Sequence, residues 1–327
     1  MKKVTLSLVF IAASICLFAQ ATKYPVLLHF TNSNCGNCAG SNPGFFTKMD
    51  VYNKNVHHIT VHPSFPYSSC VFYQGNITDN TLLVGKYGAQ GTPTISINGA
   101  KTVGVGSVTD AQLKASFTGL SSPIQVKVNE NTGASRTVKA TIKSTGTVPA
   151  ANYVVYAVVV EKLITQTTGN GEKTHRNVLR KIISAGGGDS FTPEAAGKEK
   201  VLNFSYTVDS KWKESEIYTI VWVQDGNNNI LNSGTKFDVT VGTEDILDDS
   251  SVRIFPNPTS NELKIDLTNI NATPEQIFIQ NLEGKNVAQF NAVKDINTLN
   301  ISTLPQGEYI ISVKTDRGVL SQKCLKI

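Results

Sequence analysis

The chain has 327 residues, 40% hydrophobic and 17% charged, with 30 Lys and Arg against 25 Asp and Glu and a formal charge of +5. That length predicts two or three domains, and that apolar content supports packed cores, which excludes a disordered chain. The mild positive surplus excludes a nucleic-acid binder, which needs a concentrated basic patch, and five cysteines are too few for a disulfide-dense scaffold of this size.

Residues 1–21 read as a signal peptide. Lys2 and Lys3 form a positive start, residues 4–18 an apolar run, and Ala19-Gln20-Ala21 a small-x-small cleavage site. The run is shorter than a membrane span, and no later segment reaches the ~18–20 apolar residues a span requires. The mature chain is therefore expected to lack a transmembrane segment. Cleavage removes Cys16, and export puts the rest in an oxidising compartment.

Tyr24-Pro25-Val26-Leu27-Leu28-His29-Phe30-Thr31 reads as a buried strand. It runs into Asn32-Ser33-Asn34-Cys35-Gly36-Asn37-Cys38 and then a segment whose Phe45, Phe46 and Met49 suit one apolar helix face. Cys35 thus falls at a strand-to-helix junction, where unpaired N–H groups and the helix dipole favour an anion, here a thiolate. Two intervening residues let both sulfurs meet across the first helical turn. A redox pair works in that way: the first thiolate attacks, and the second thiol resolves the mixed disulfide.

Two other readings of the pair stand beside it. A zinc site needs two further N or S ligands. On a strand through 56–61, His57 and His58 face opposite sides, and His58 lies ~13 Å from His62; no metal is expected. An inert structural disulfide between Cys35 and Cys38 is the other. Between this second strand and Asp79 lies an insertion, residues 62–73, rich in prolines and aromatics. Its Cys70 has no assigned partner and reads either as a buried, inert thiol or as a third redox thiol. Further on, Gly91-Thr92-Pro93-Thr94 leads into a strand, an Asn98-Gly99 hairpin turn and a second strand over 101–105. Ser107-Val108-Thr109-Asp110 then supplies helix-start residues before a short final helix over 111–117.

With its Cys-Gly-Asn-Cys, its Gly-Thr-Pro-Thr and Pro43 five residues after Cys38, the segment 22–120 resembles the thioredoxin-like family. The resemblance implies that Cys35 is the nucleophile, Cys38 the resolving thiol, and the two together a reversible disulfide. It implies that Pro93 is a cis proline shaping a peptide groove, with Gly91 and Thr92 beside it to meet an extended substrate. No cofactor is implied. Asn34 replaces the family's Trp, Gly36-Asn37 departs from its Gly-Pro, and His29 stands where the family buries an Asp. His29 is expected either to accept the resolving thiol's proton, to stabilise a thiolate as a cation, or to be an ordinary core histidine.

Residues 121–243 predict an antiparallel β-sandwich, with strands over 124–129, 137–144, 153–161, 178–183, 201–208 and 218–224 and a return at 230–231. Residues 166–174 and 185–188 read as loops. No nucleophile–base or acid pair stands out there. The stretches 175–181 and 221–225 resemble those of outer-membrane-associated thioredoxin-fused proteins of Bacteroidota.

Residues 244–251 form an acidic linker, and 252–327 predict a small all-β sandwich, with strands over 262–267, 276–281, 309–314 and 319–327. Its Phe-Pro-Asn-Pro-Thr opening from Phe255, Asn-Leu-Glu-Gly-Lys turn and Leu-Pro-Gln-Gly-Glu-Tyr core resemble the type A sorting domain of type IX secretion. The resemblance implies the type IX machinery as a partner and passage across the outer membrane to the medium or cell surface. Cys324 in the last strand reads as a core residue. The composite expectation is an exported thiol–disulfide oxidoreductase acting on a disulfide- or dithiol-bearing polypeptide. Its rival is a non-catalytic secreted or surface binding protein on the same scaffold.

Overall fold

The computed structural model describes residues 20–238, 252–270, 272–281, 285–315 and 318–327. The expected signal segment to residue 19 with its Cys16, the 244–251 linker, and Glu283 and Gly284 of the C-terminal turn lie outside these residues. The chain forms two compact units, residues 1–238 and 239–327.

In the first unit, strands Val26–Phe30 and His57–Val61 pair in parallel. Helix Gly36–Tyr52 makes the crossover that parallel pairing needs. Both strands are buried along their whole length, as in a sheet covered on two faces. Leu27 packs with Phe45 and Met49 of that helix and with Leu113. Val26, Leu28 and Phe30 pack the other way, with Leu83 and Tyr87 of helix Ile77–Tyr87. Thr94–Ile97 runs antiparallel to Val26–Phe30. Thr109 caps helix Asp110–Ala115 through a capping box with Gln112, which satisfies two of the helix's open N–H donors.

The expected hairpin turn is present at Asn98 and Gly99, with φ of +55° and +85°, the two positive values a tight hairpin demands. Its return strand is only Val103–Gly104, because Val105–Ser107 winds into a 3₁₀ turn. Gly99 also abuts the 225–229 turn: a Cβ there would lie 1.7 Å from the Asn228 carbonyl oxygen. Gly99→Ala combines that clash with a left-handed backbone. It is expected to cost about 2–4 kcal/mol, read as a thermal midpoint lowered by roughly 5–15 °C.

One core spans residue 120. Among the described residues the first unit holds a nine-stranded sheet in the order Ile230–Thr235, Ile217–Asp225, Tyr153–Thr165, Thr174–Ile182, His57–Val61, Val26–Phe30, Thr94–Ile97, Val103–Gly104, with Asp189–Phe191 added beside Tyr153–Thr165. The seam is a parallel bridge between Val178 and Thr60, where the Thr60 hydroxyl donates to the Arg176 carbonyl at 2.6 Å. The reason is visible in strand Tyr153–Thr165, which is apolar at both parities. Val155, Ala157 and Val159 meet a second sheet built of Ile124–Glu130, Ser135–Ser144 and Glu199–Thr207. Tyr156, Val158 and Val160 face the other way and join Val26, Leu28 and Phe30. Residues 121–238 therefore stack two sheets face to face, and one of these sheets also supplies part of the wall on which residues 22–120 pack.

Among the described residues the second unit has two sheets, Arg253–Phe255/Glu262–Asp266/Ile296–Asn300 and Asn286–Asn291/Pro274–Gln280/Gly307–Thr315/Gly318–Lys326. Their core includes Leu263, Ile277, Ile311, Leu320 and Cys324. Burial pushes the Cys324 thiol up. The strands Asn286–Asn291 and Ile296–Asn300 were not expected, because their sequences are mostly polar and only partly alternating. Among the described residues, no helix is long and apolar enough to cross a membrane.

Candidate functional site

Strand Val26–Phe30 delivers the chain into the loop Thr31-Asn32-Ser33-Asn34, and side chains of that loop fix its path. The Asn32 amide nitrogen donates to the carbonyls of Pro63, Phe65 and Tyr67 at 3.1, 3.1 and 2.9 Å. Its oxygen accepts the Asn34 N–H at 3.0 Å. The insertion is thereby tied to the loop that precedes Cys35. Cys70, in that insertion, is fully buried. Its sulfur accepts the Ser33 N–H at 3.4 Å and the Ser33 hydroxyl at 3.1 Å.

Cys35 caps helix Gly36–Tyr52. Its sulfur accepts the Cys38 N–H at 3.2 Å, and its thiol points to the Thr92 carbonyl oxygen at 3.9 Å. Of the sequence-predicted residues Gly91, Thr92 and Pro93, all half-buried, Thr92 thus meets the first cysteine through its carbonyl, and the Thr92–Pro93 bond is cis. Cys35 is 5% exposed and Cys38 fully buried. Both are free thiols in this structure, as are Cys70 and Cys324, so the expected Cys35–Cys38 disulfide is not formed here. Burial, followed by the hydrogen bond to the Cys35 sulfur, pushes Cys38 up to about 11. The Thr31 and Thr92 side chains pull the other way, toward its charged form, although the Thr92 hydroxyl reaches no hydrogen-bond geometry with any partner.

His29 lies in the core. It is wholly buried between Phe45 and Phe46, whose rings lie 5.1 and 5.8 Å from its own. Burial holds it down to about 3. The cation that would stabilise a thiolate is therefore not what this setting builds, and a base so weak is a poor acceptor for the Cys38 proton. His29 is a core histidine at the edge of a polar cluster. Its Nδ1 lies 3.3 Å from Nε2 of the buried His58.

The structure adds two residues that sequence reasoning passed over. The 166–173 turn between strands Tyr153–Thr165 and Thr174–Ile182 lies on the cysteine loop. The Asn170 N–H donates to the Ser33 carbonyl at 3.0 Å, and its side-chain amide donates to the Cys35 carbonyl at 3.1 Å and to Glu172 at 2.6 Å. Glu172 also accepts the Asn42 amide at 2.8 Å. In the sequence this turn is merely polar, and nothing local says what it touches. Among the described residues, no group of three or more His, Cys, Asp or Glu side chains is placed to hold a metal ion.

Residues 253–326 match the family described as a secretion system C-terminal sorting domain. The chain thus carries a type IX sorting domain and is exported to the cell surface by that route. No curated protein matches the chain. Among solved structures it resembles HBP35 of Porphyromonas gingivalis, at 18% identity and a TM-score of 0.57, over 94% of this chain and 99% of that one. That likeness is one of fold. Protein AGR_C_4864 from Agrobacterium tumefaciens aligns at 15% identity and a TM-score of 0.44, over 69% of this chain and 99% of that one.

Proposed function

We propose that this exported surface protein is a thiol–disulfide oxidoreductase, with residues 22–120 as a thioredoxin-like module and Cys35 and Cys38 as its reactive pair. The observation that carries the reading is the placement of the Cys35 sulfur. It caps the first helical turn against the Cys38 N–H and lies 3.9 Å from the Thr92 carbonyl. Cys35 attacks one sulfur of a substrate disulfide; that bond breaks, and the departing sulfur takes a proton. Cys38 then loses its proton and attacks the Cys35 sulfur. The Cys35–Cys38 bond forms, the second substrate thiol leaves, and two electrons have passed to the substrate. The reverse sequence oxidises a dithiol.

A disulfide- or dithiol-bearing polypeptide lying along Gly91, Thr92 and Pro93 is the substrate class this reading implies. The test is insulin reduction and refolding of scrambled ribonuclease. Cys35→Ser is expected to abolish turnover, and Cys38→Ser to trap a mixed disulfide on Cys35. No turnover by the parent chain, with a Cys35–Cys38 disulfide that resists glutathione, would sink the proposal. A second reading, a non-catalytic surface binding protein on the same scaffold, is favoured by the 5% exposure of Cys35.

A further inference from the structure

The reactive pair proposed above is held by a residue from the far half of the unit. Each carboxylate oxygen of Glu172 accepts an asparagine side-chain amide, Asn42 at 2.8 Å on one and Asn170 at 2.6 Å on the other. The Asn170 arm ends on the Cys35 carbonyl at 3.1 Å. The Asn42 arm continues to the Thr31 hydroxyl oxygen at 3.0 Å, in the loop that leads into Cys35. Asn42 is almost wholly buried. Its Oδ1 and the Nε2 of His29 are both enclosed without a hydrogen-bond partner, so the Asn42 donor side is its anchored end.

We infer that Glu172 is a positioning residue for the cysteine pair, its carboxylate fork setting the Cys35 backbone through Asn170 and the Thr31 side chain of the cysteine loop through Asn42. This rests on the redox reading, and it makes residues 121–238 part of the site, beyond any role as a spacer. The fork favours the reduced pair, because it holds Cys35 at the helix N-cap, where its sulfur accepts the Cys38 N–H and developing thiolate charge is supported. Removing it tilts the pair toward the disulfide. Loss of the carboxylate's charge alone acts the other way, since a nearby anion disfavours a thiolate.

The experiment equilibrates the full exported chain with glutathione and its disulfide and measures the fraction of Cys35–Cys38 disulfide. Glu172→Ala is expected to move the equilibrium constant at least tenfold toward the disulfide. Glu172→Gln, which keeps one accepting oxygen without the charge, should recover part of that shift. Thr31→Val keeps the shape, removes the last hydroxyl, and is expected to move the constant in the same direction; it carries the test if Glu172→Ala does not fold. Constants for all variants within twofold of the parent would overturn the inference. So would an equal shift toward the dithiol in Glu172→Ala and Glu172→Gln, which would make the carboxylate only a charge. A parent that never equilibrates with glutathione fails the redox reading itself, whereas a parent that equilibrates beside unchanged variants fails the Glu172 role alone.

Discussion

Lowering the pH from 7 to 4 is expected to unfold the first unit while leaving the second folded. His29, His58 and His62 are all buried, and burial is the first cause that holds each below its ordinary value, His29 down to about 3. Neighbouring ionisable groups add to this at His58, through His29 and Arg176, and at His62, through His175, His29 and Arg180. The unfolded chain titrates these imidazoles near 6.5. Between 6.5 and the folded value the unfolded state binds more protons, so stability rises with pH and is lost as pH falls through that window. For His29 alone the full span is worth about 5 kcal/mol, against roughly 5–15 kcal/mol for a whole domain. All five histidines and both tryptophans lie before residue 239. Tryptophan fluorescence therefore reads this unit selectively, with Trp222 stacked on Tyr156 at 4.9 Å as the buried reporter. Denaturant midpoints should fall steeply below pH 6.5, and His29→Leu should flatten part of the slope. A midpoint constant from pH 7 to pH 5 would show that these imidazoles are solvated or protonated at little cost.

Those histidines mark where the sequence stopped being legible. Position 29 invited a chemical role because of its offset from Cys35, yet what decides its character is the pair Phe45 and Phe46 closing over it. Offsets along a chain give no measure of burial. Local signals did better. The Cys35 cap, the Asn98-Gly99 turn and the Thr109 capping box each depend on residues within a few positions of one another. Most strands of 121–238 were visible from alternation and turn clusters for the same reason. The sites of Asn170 and Glu172 were not, because their partners Ser33, Cys35 and Asn42 are more than a hundred residues away. The Val178–Thr60 seam escaped on the same ground. A run such as Val-Val-Tyr-Ala-Val-Val-Val reads as a strand, and its apolar character at both parities announces that each face is covered. It does not announce by what.

That two-sided strand sets the largest structural prediction. A chain ending at residue 120 is expected not to fold. Val26, Leu28, Phe30, Ile59 and Val61 would lose Tyr156, Val158, Val160, Leu179 and Trp222 from their packed face. Each fully buried large apolar side chain is worth about 1.5–3 kcal/mol relative to exposure, so five half-stripped residues forfeit an amount comparable with the whole stability of a small domain. The loss is not only apolar. Tyr87 donates to Gln224 at 2.5 Å, and Lys23, mostly buried, donates to the carbonyls of Ile230 and Leu231. Without residues 217–235, these polar groups lose the partners that satisfy them inside the core. The fragment 22–120 should show no cooperative thermal transition and little dispersion of its amide signals, whereas 22–238 should melt as one unit. If the fragment folds with a sharp transition, the shared core is an association of two independent domains, and the Glu172 fork becomes a contact between them, no longer a feature of one fold.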